Sequence, residues 1–236
     1  MLETSLHSRL PVDTFRALSD SVSFRAARFG KRVRGYADPS LALFRASAPE
    51  KQAQILESLR LQNESLDTED EKVFFEAEKR ALWKSIMLLG FVPPTDLFNE
   101  LKPDRAIEIF GLDGGLLWRN LTCMDLCSYT LEEIACTDVF ERYQRSPGAY
   151  EQCVANLQAM LSGQVPEVLD PRMPAYTIIE TMSAERLILS IKHELGAILK
   201  NRQGQVCAWL VMSDAKVVGT SLPPPEPRVS HLSVVS

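Results

Sequence analysis

Few residue types in this chain could perform catalysis, and their spacing does not combine them into a recognisable active site. The sequence has three histidines, His7, His193 and His231, and they form no arrangement of a nucleophile with a general base. It also has no glycine-rich phosphate loop and no kinase, nucleotidyl-cyclase or phosphodiesterase signature. We therefore expect that the protein is not an enzyme. An enzyme of a class that these motifs do not reveal stays an alternative, ranked below the two non-enzymatic functions described at the end of this subsection.

The five cysteines are the other residues that could carry chemistry. They are Cys123, Cys127, Cys136, Cys153 and Cys207, an odd number without a secretion signal, so we expect reduced thiols and no disulfide framework. Cys123 and Cys127 stand one helical turn apart, but a structural zinc site needs four ligands and the other cysteines show no paired spacing. We therefore expect no metal, and we interpret the cysteines as small buried apolar residues.

A basic stretch lies near the start of the chain. Its cations are Arg25, Arg28, Lys31, Arg32 and Arg34, which surround Phe29 and Tyr36. The net charge of -5 and the pI of about 5.4 give no general attraction to phosphate backbones, and no DNA-binding motif accompanies the stretch. A solvated helix end or a surface for an acidic partner explains it, and contact with nucleic acid is the alternative.

Composition indicates a globular protein. The chain has 236 residues, of which 45% are hydrophobic and 24% charged, so it has room for one large domain or two small ones. No window reaches the roughly 18–20 apolar residues that a membrane span needs, and the first thirty residues carry charge throughout. We expect a cytosolic or nuclear protein with no membrane partner.

Residues 1–99 have the spacing of α-helices. Helices are predicted from Asp13 to Arg28, from Pro49 onward, and from a Thr68–Glu71 capping box to Leu89. The last of these helices carries two apolar stripes, one with Phe75, Leu82, Ile86 and Leu89, the other with Phe74, Ala77, Ala81 and Leu88. Two stripes predict two packing partners.

Short strands and helices follow. Strands are predicted at 107–110 and 116–118 around an Asp113-Gly114 turn, and at 175–182, 186–199 and 206–212, with a longer helix at 150–161. In the middle of the last three strands, one face carries Leu187, Leu189, Ile191, His193 and Leu195. The final strand is apolar on both faces, so we expect the amino-terminal helices or a second subunit to cover it.

Several motifs follow one another in these elements. They are IEIFGLDG from Ile107, WRN ending at Asn120, LCSYTLEEI from Leu126, and a closing hairpin LKNRQGQ from Leu199. In this element order they resemble the PAS sensory domain, although Ser128 stands where that family usually has glycine. The resemblance covers residues 105–215. We take 1–99 as a helical region, 100–217 as a PAS-like domain and 218–236 as a proline-rich tail.

The resemblance implies an α+β fold: a five-stranded antiparallel sheet with helices on one face, preceded by an α-helical region. It also implies either a solid core or a pocket for a small molecule between the sheet and its longest helix. The pocket candidates are Tyr150, Cys153, Val154, Leu157, Leu189, Ile191 and His193. Asn120 and Tyr129 are expected to be structural, because helix-start chemistry explains them.

His193 is the polar group on the apolar face of the middle strand. We interpret it as a hydrogen-bonded core histidine, and an axial haem ligand is the alternative. Flavin photochemistry in this family would need a reactive cysteine in an Asn-Cys-Arg run, and the sequence has none. We therefore predict no cofactor.

The sequence thus predicts a non-enzymatic signalling or sensory protein that binds a small molecule or a protein partner. The alternative is a relative of transcription regulators that contacts nucleic acid through the stretch from Arg25 to Arg34. We also predict a homodimer, because the stripes on the helix to Leu89 exceed what one sheet face can cover. The interface candidates are Phe75, Leu82, Ile86 and Trp209.

Overall fold

The computed structural model describes residues 11–67, 73–102, 104–183 and 186–221. The helical region has five helices within these residues: α1 (Pro11–Ala27), α2 (Ala42–Ala46), α3 (Pro49–Ser65), α4 (Phe74–Leu88) and α5 (Leu97–Glu100). Pro49 begins α3, where its fixed φ suits the first turn and its missing N–H is not needed. The predicted Thr68–Glu71 capping box and the segment from Leu222 lie outside the described residues.

The rest of the described chain is a mixture of strands and helices. The strands are β1 (Ala106–Gly111), β2 (Leu116–Arg119), β3 (Tyr143–Arg145), β4 (Val168–Leu169), β5 (Tyr176–Glu180), β6 (Arg186–Lys200) and β7 (Val206–Ser221). The helices are α6 (Leu121–Leu126), α7 (Leu131–Cys136), α8 (Val139–Arg142) and α9 (Ala149–Leu161). The element order expected from the sequence is therefore present.

The strands form one antiparallel sheet in the order β2-β1-β7-β6-β5-β3, with β4 paired to β6. This confirms the α+β fold. The sheet has seven strands where five were expected, because two short segments, β3 and β4, pair with β5 and β6. Neither short segment has the length or the alternation by which a strand is recognised in a sequence.

Local side-chain bonds fix the turns of the sheet. Gly114 has a φ of 80°, and the Asp113 carboxylate accepts the Gly115 N–H at 2.9 Å, which closes the β1–β2 hairpin. At the end of β2, the Asn120 side chain accepts the N–H groups of Ile107 and Cys123, both at 3.0 Å. Asn120 therefore joins β1 to the start of α6, a structural role.

Strand β6 contains a bulge that changes the predicted alternation. His193 pairs with Ser213 and Leu195 pairs with Met212, so Glu194 is an extra residue without a partner in β7. The extra residue places Leu195 among the helices, on the face opposite His193. The prediction that Leu195 shares the face of His193 is therefore wrong.

The helical region covers one face of the sheet. From β7, Ala208, Leu210 and Met212 are buried in a core cluster that also contains residues of α1 to α5. The Trp118 indole N–H donates to Ser65 Oγ at 3.0 Å and ties β2 to α3. Of the two covers expected for β7, the structure therefore uses the amino-terminal helices. The strand itself continues to Ser221, beyond the predicted start of the tail at 218.

Helix α4 buries one face and exposes the other. Ala77, Ala81, Leu82 and Ile86 are buried within the chain, whereas Phe75, Trp83, Met87 and Leu88 are exposed. The two predicted stripes are therefore not two separate faces. The buried face combines Leu82 and Ile86 of one stripe with Ala77 and Ala81 of the other. None of the helices in the described part of the chain is long and apolar enough to cross a membrane.

Candidate functional site

A cavity of about 360 Å³ lies on the sheet face opposite the helical region. Strands β1, β5, β6 and β7 form its floor, and α6 and α9 lie over it. Its volume is near the lower end for pockets that enclose small ligands. The cavity is therefore the feature of this fold that can take up a small molecule.

The walls of the cavity are mainly apolar. Val154 and Leu157 of α9 face Leu189 and Ile191 of β6 across it. On β7, Trp209 stacks on Phe110 of β1, with ring centroids 4.8 Å apart. These side chains can pack against an apolar ligand body.

The structure brings together the pocket residues that the sequence predicted. Cys153, Val154, Leu157, Leu189, Ile191 and His193 all line the cavity. Tyr150 belongs to α9, but its side chain lies outside the described part of the chain. The helical spacing in α9 and the alternation in β6 predicted which residues share a face, and the resemblance to the PAS domain implied that these two faces enclose a pocket.

His193 is held by other side chains. Its Nδ1 lies 2.7 Å from Ser213 Oγ, and its Nε2 lies 2.8 Å from Tyr176 Oη and 3.6 Å from Cys153 Sγ. Burial lowers the pKa of His193 to about 4, so the ring is neutral near pH 7. An axial bond to haem iron would have to replace one of these hydrogen bonds.

A buried arginine is among the polar groups that line the cavity. Arg119 of β2 is 3% exposed, and its Nη2 donates to Glu108 Oε1 at 2.6 Å. Its Nε and Nη1 have no hydrogen-bond partner in the described structure. Tyr143 of β3 also lines the cavity, and burial raises the pKa of its phenol well above the usual value.

Sequence reasoning missed Arg119, Glu108 and Tyr143. Trp118 is buried among the helices, so alternation along β2 places Arg119 on the cavity face. That signal was available, but a single arginine at the end of a four-residue strand is ordinarily solvated. Tyr143 belongs to β3, a strand that the sequence did not predict.

The thiols in the cavity are not activated. Burial raises the pKa values of Cys123, Cys127 and Cys153, so all three are protonated near neutral pH. All five cysteines are free. No group of three or more histidine, cysteine, aspartate or glutamate side chains in the described structure could hold a metal ion.

The basic stretch contacts the rest of the chain. Arg25 pairs with Asp67 at 2.9 Å, and Lys31 lies 3.5 Å from Asp125 and 4.9 Å from the Phe74 ring centroid. Arg25 of α1 thus contacts the segment after α3, and Lys31, which follows α1, contacts α4 and α6. Contact of the stretch with nucleic acid stays the untested alternative.

The predicted interface residues lie in three different environments. Leu82 and Ile86 are in the core of this chain, Phe75 is 43% exposed, and Trp209 lines the cavity. Of the four, Phe75 is therefore the residue that an isolated subunit exposes on α4. The homodimer stays a prediction.

The chain was compared with known families and structures. It matches no protein-family model, and no curated protein matches it. One similar solved structure is described as an RNA-binding light-oxygen-voltage receptor, with 14% sequence identity and a TM-score of 0.30. The similarity covers 88% of this chain and 60% of that chain, so this chain spans less than two thirds of its length.

Proposed function

We propose that this protein is a sensory module that binds a small molecule in the cavity and transmits that event to a protein partner, without catalysing a reaction. One observation carries the proposal: a cavity of about 360 Å³ lies between the sheet and α9, with apolar walls and a few converging polar groups. A ligand site of this kind needs no catalytic residues.

The chemistry of the cavity supports binding over catalysis. Its thiols and His193 are uncharged near pH 7, because burial disfavours their charged forms. A nucleophilic cysteine would need a lowered pKa, and these pKa values move in the opposite direction. The site therefore offers recognition groups and no activated nucleophile.

Transmission is proposed to run through β7. Trp209 faces the cavity, and the next residue, Leu210, is buried against the helical region. A ligand that shifts Trp209 would thus move a strand that the helices also contact. The exposed face of α4 is the surface we propose for a second subunit or another partner.

Filling the cavity tests the proposal. In Leu189→Trp, the larger side chain would occupy ligand space, so any small molecule that copurifies with the wild-type protein should be lost. Native mass spectrometry of the purified protein measures this directly. If the wild-type protein copurifies with no small molecule, the added volume in Leu189→Trp should instead overpack the core and lower the free energy of unfolding by roughly 1–3 kcal/mol.

Val218→Trp is the matched control, since Val218 is 60% exposed on the same pair of strands and outside the cavity. This variant should retain the copurified molecule. A bound molecule retained equally by Leu189→Trp and Val218→Trp would place the ligand elsewhere and contradict the proposal.

A further inference from the structure

The cavity is lined by hydrogen-bond donors that have no acceptor. Arg119 Nε, Arg119 Nη1 and Trp209 Nε1 are buried and have no partner in the described structure. Buried donors are almost always paired in folded proteins. An acceptor supplied by a molecule bound in the cavity would satisfy these three donor atoms.

The sheet register places these donors on the two strands that flank β1, both on the cavity face of the sheet. On β1, Glu108 pairs with Arg119 of β2 and with Val211 of β7, and Phe110 pairs with Trp209 of β7. Glu108 and Phe110 are two residues apart on β1, so Arg119 and Trp209 occupy adjacent rows of the same face. One small molecule can reach both.

The charges around the site favour an anionic acceptor. Arg142 is 1% exposed, and its guanidinium group is repelled by that of Arg119. The Glu108 carboxylate attracts both guanidinium groups. Arg145 and Asp113, which also line the cavity, carry opposite charges. Buried cations require anionic partners, and the Glu108 carboxylate bonds to Nη2 of Arg119 but not to its Nε or Nη1.

From these observations, we propose that the ligand is a small amphipathic monocarboxylic acid whose carboxylate accepts hydrogen bonds from Arg119. This inference rests on the proposed function. The apolar body of the acid would pack between Leu157 and Leu189, and the Trp209 indole would donate to a carboxylate oxygen or another acceptor. A carboxylate suits the planar guanidinium better than a dianion, since Glu108 already offsets part of the local positive charge.

Matched pairs of acids and amides test the inference on the wild-type protein. The probes are 3-phenylpropionate with 3-phenylpropanamide and octanoate with octanamide, measured by isothermal titration calorimetry. In each pair the acid should bind at least about tenfold more tightly, because the amide lacks the charge that Arg119 would pair with. Equal or tighter binding of the amides would overturn the inference and leave the proposed function standing.

Two variants locate the carboxylate. Arg119→Gln should reduce the preference for acids to about twofold or less, since it removes the cation. Glu108→Gln should raise the affinity for acids, because it removes the carboxylate that competes for Arg119. Weaker acid binding in Glu108→Gln would contradict the assignment, and this comparison remains informative if Arg119→Gln does not fold.

Failure of the inference can be separated from failure of the proposed function. If neither series binds, the assignment to monocarboxylic acids is overturned. A copurified molecule present in wild-type protein and lost in Leu189→Trp would then still support a ligand-binding cavity. If no probe binds and no copurified molecule is lost in Leu189→Trp, the inference and the proposed function are both contradicted.

Discussion

At the scale of single residues, the cavity combines apolar contacts with polar side chains that mainly bond to one another. His193 bonds to Ser213 and Tyr176, and Arg119 bonds to Glu108. These bonds make the polar groups compatible with a buried site, because each would otherwise lose its hydration without compensation. The unpaired donors of Arg119 and Trp209 are exceptions, and those of Arg119 carry the proposal of an acidic ligand.

His193 should resist protonation in the folded protein. Burial lowers its pKa from 6.5 to about 4, so the protein should lose stability as the pH falls from 6.5 through 4. The loss should be about 3 kcal/mol. An NMR titration of the His193 ring should give a midpoint below pH 5, and a midpoint near 6.5 would contradict the buried, neutral ring.

The hydrogen bonds of His193 also bear on haem. Both ring nitrogens have partners within the chain, so protein expressed with a haem supply should show no Soret band. Absorbance spectroscopy of the purified protein checks this. A stoichiometric Soret band that disappears in His193→Ala would show the opposite and assign haem to this residue.

How far the sequence predicts the site is also decided residue by residue. Leu189 and Ile191 could be placed because alternation in a long strand is a strong signal. Leu195 could not, since a bulge at Glu194 reverses the face and the sequence carries no mark of it. Arg119 was missed although alternation placed it on the cavity face, because its burial depends on tertiary contacts, among them the bond to Glu108.

At the scale of elements, side chains from one helix complete the ends of another. The Glu132 carboxylate of α7 accepts the N–H groups of Leu43 and Phe44 at 3.0 and 3.1 Å, at the start of α2. The Glu78 carboxylate of α4 accepts the Leu121 N–H at 3.2 Å, at the start of α6. Such bonds satisfy helix-end donors that would otherwise be unpaired. They connect helices α2 and α4 of the helical region to helices α7 and α6, which follow β2 in the chain, through polar contacts as well as apolar ones.

Glu78 should make stability depend on pH. Burial raises its pKa from 4.5 to about 7 despite its hydrogen bonds from the backbone, so the folded protein holds this proton more tightly than the unfolded chain does. The resulting stability is complete below pH 4.5 and is lost as the pH rises through 7, with a total of about 1–3 kcal/mol.

Glu78→Gln should remove this part of the pH dependence, because the amide does not ionise. Urea unfolding of wild type and variant between pH 5 and 8 measures the difference. Glu76→Gln is the matched control, since Glu76 is exposed on the same helix. If the free energy of unfolding of Glu78→Gln depends on pH as that of the wild type does, the raised pKa of Glu78 is contradicted.

The elements themselves could largely be predicted. Helices α1 and α3, the β1–β2 hairpin and the three long strands follow from apolar spacing and turn residues. The short strands β3 and β4 could not be, because only their pairing with β5 and β6 makes them strands. Which face of α4 is buried depended likewise on the packing of α3 and the sheet.

At the scale of the whole molecule, α4 presents an apolar surface to solvent. Phe75, Trp83 and Met87 lie at helical spacing and are between 43% and 47% exposed. We predict that this surface pairs two copies of the chain, and sedimentation velocity should show a dimer. Phe75→Glu should weaken the dimer at least about tenfold, because it places a charge in an apolar contact.

The control for the dimer is Leu161→Glu. Leu161 is 43% exposed, as Phe75 is, and it ends α9 on the opposite side of the sheet from α4, so its substitution should leave the dimer intact. A wild-type protein that sediments as a monomer at high concentration would refute the prediction. The helical region would then act as a cover for the sheet within a single chain.

Strand β7 has a consequence for folding cooperativity. Its alternate residues complete two cores: Trp209 and Val211 the cavity, and Leu210 and Met212 the helical cluster. If either core unfolded alone, one apolar face of β7 would be exposed to water while the other face stayed packed. The helical region and the sheet should therefore unfold in a single transition, so the change of sequence character near residue 100 does not separate two independently folding units.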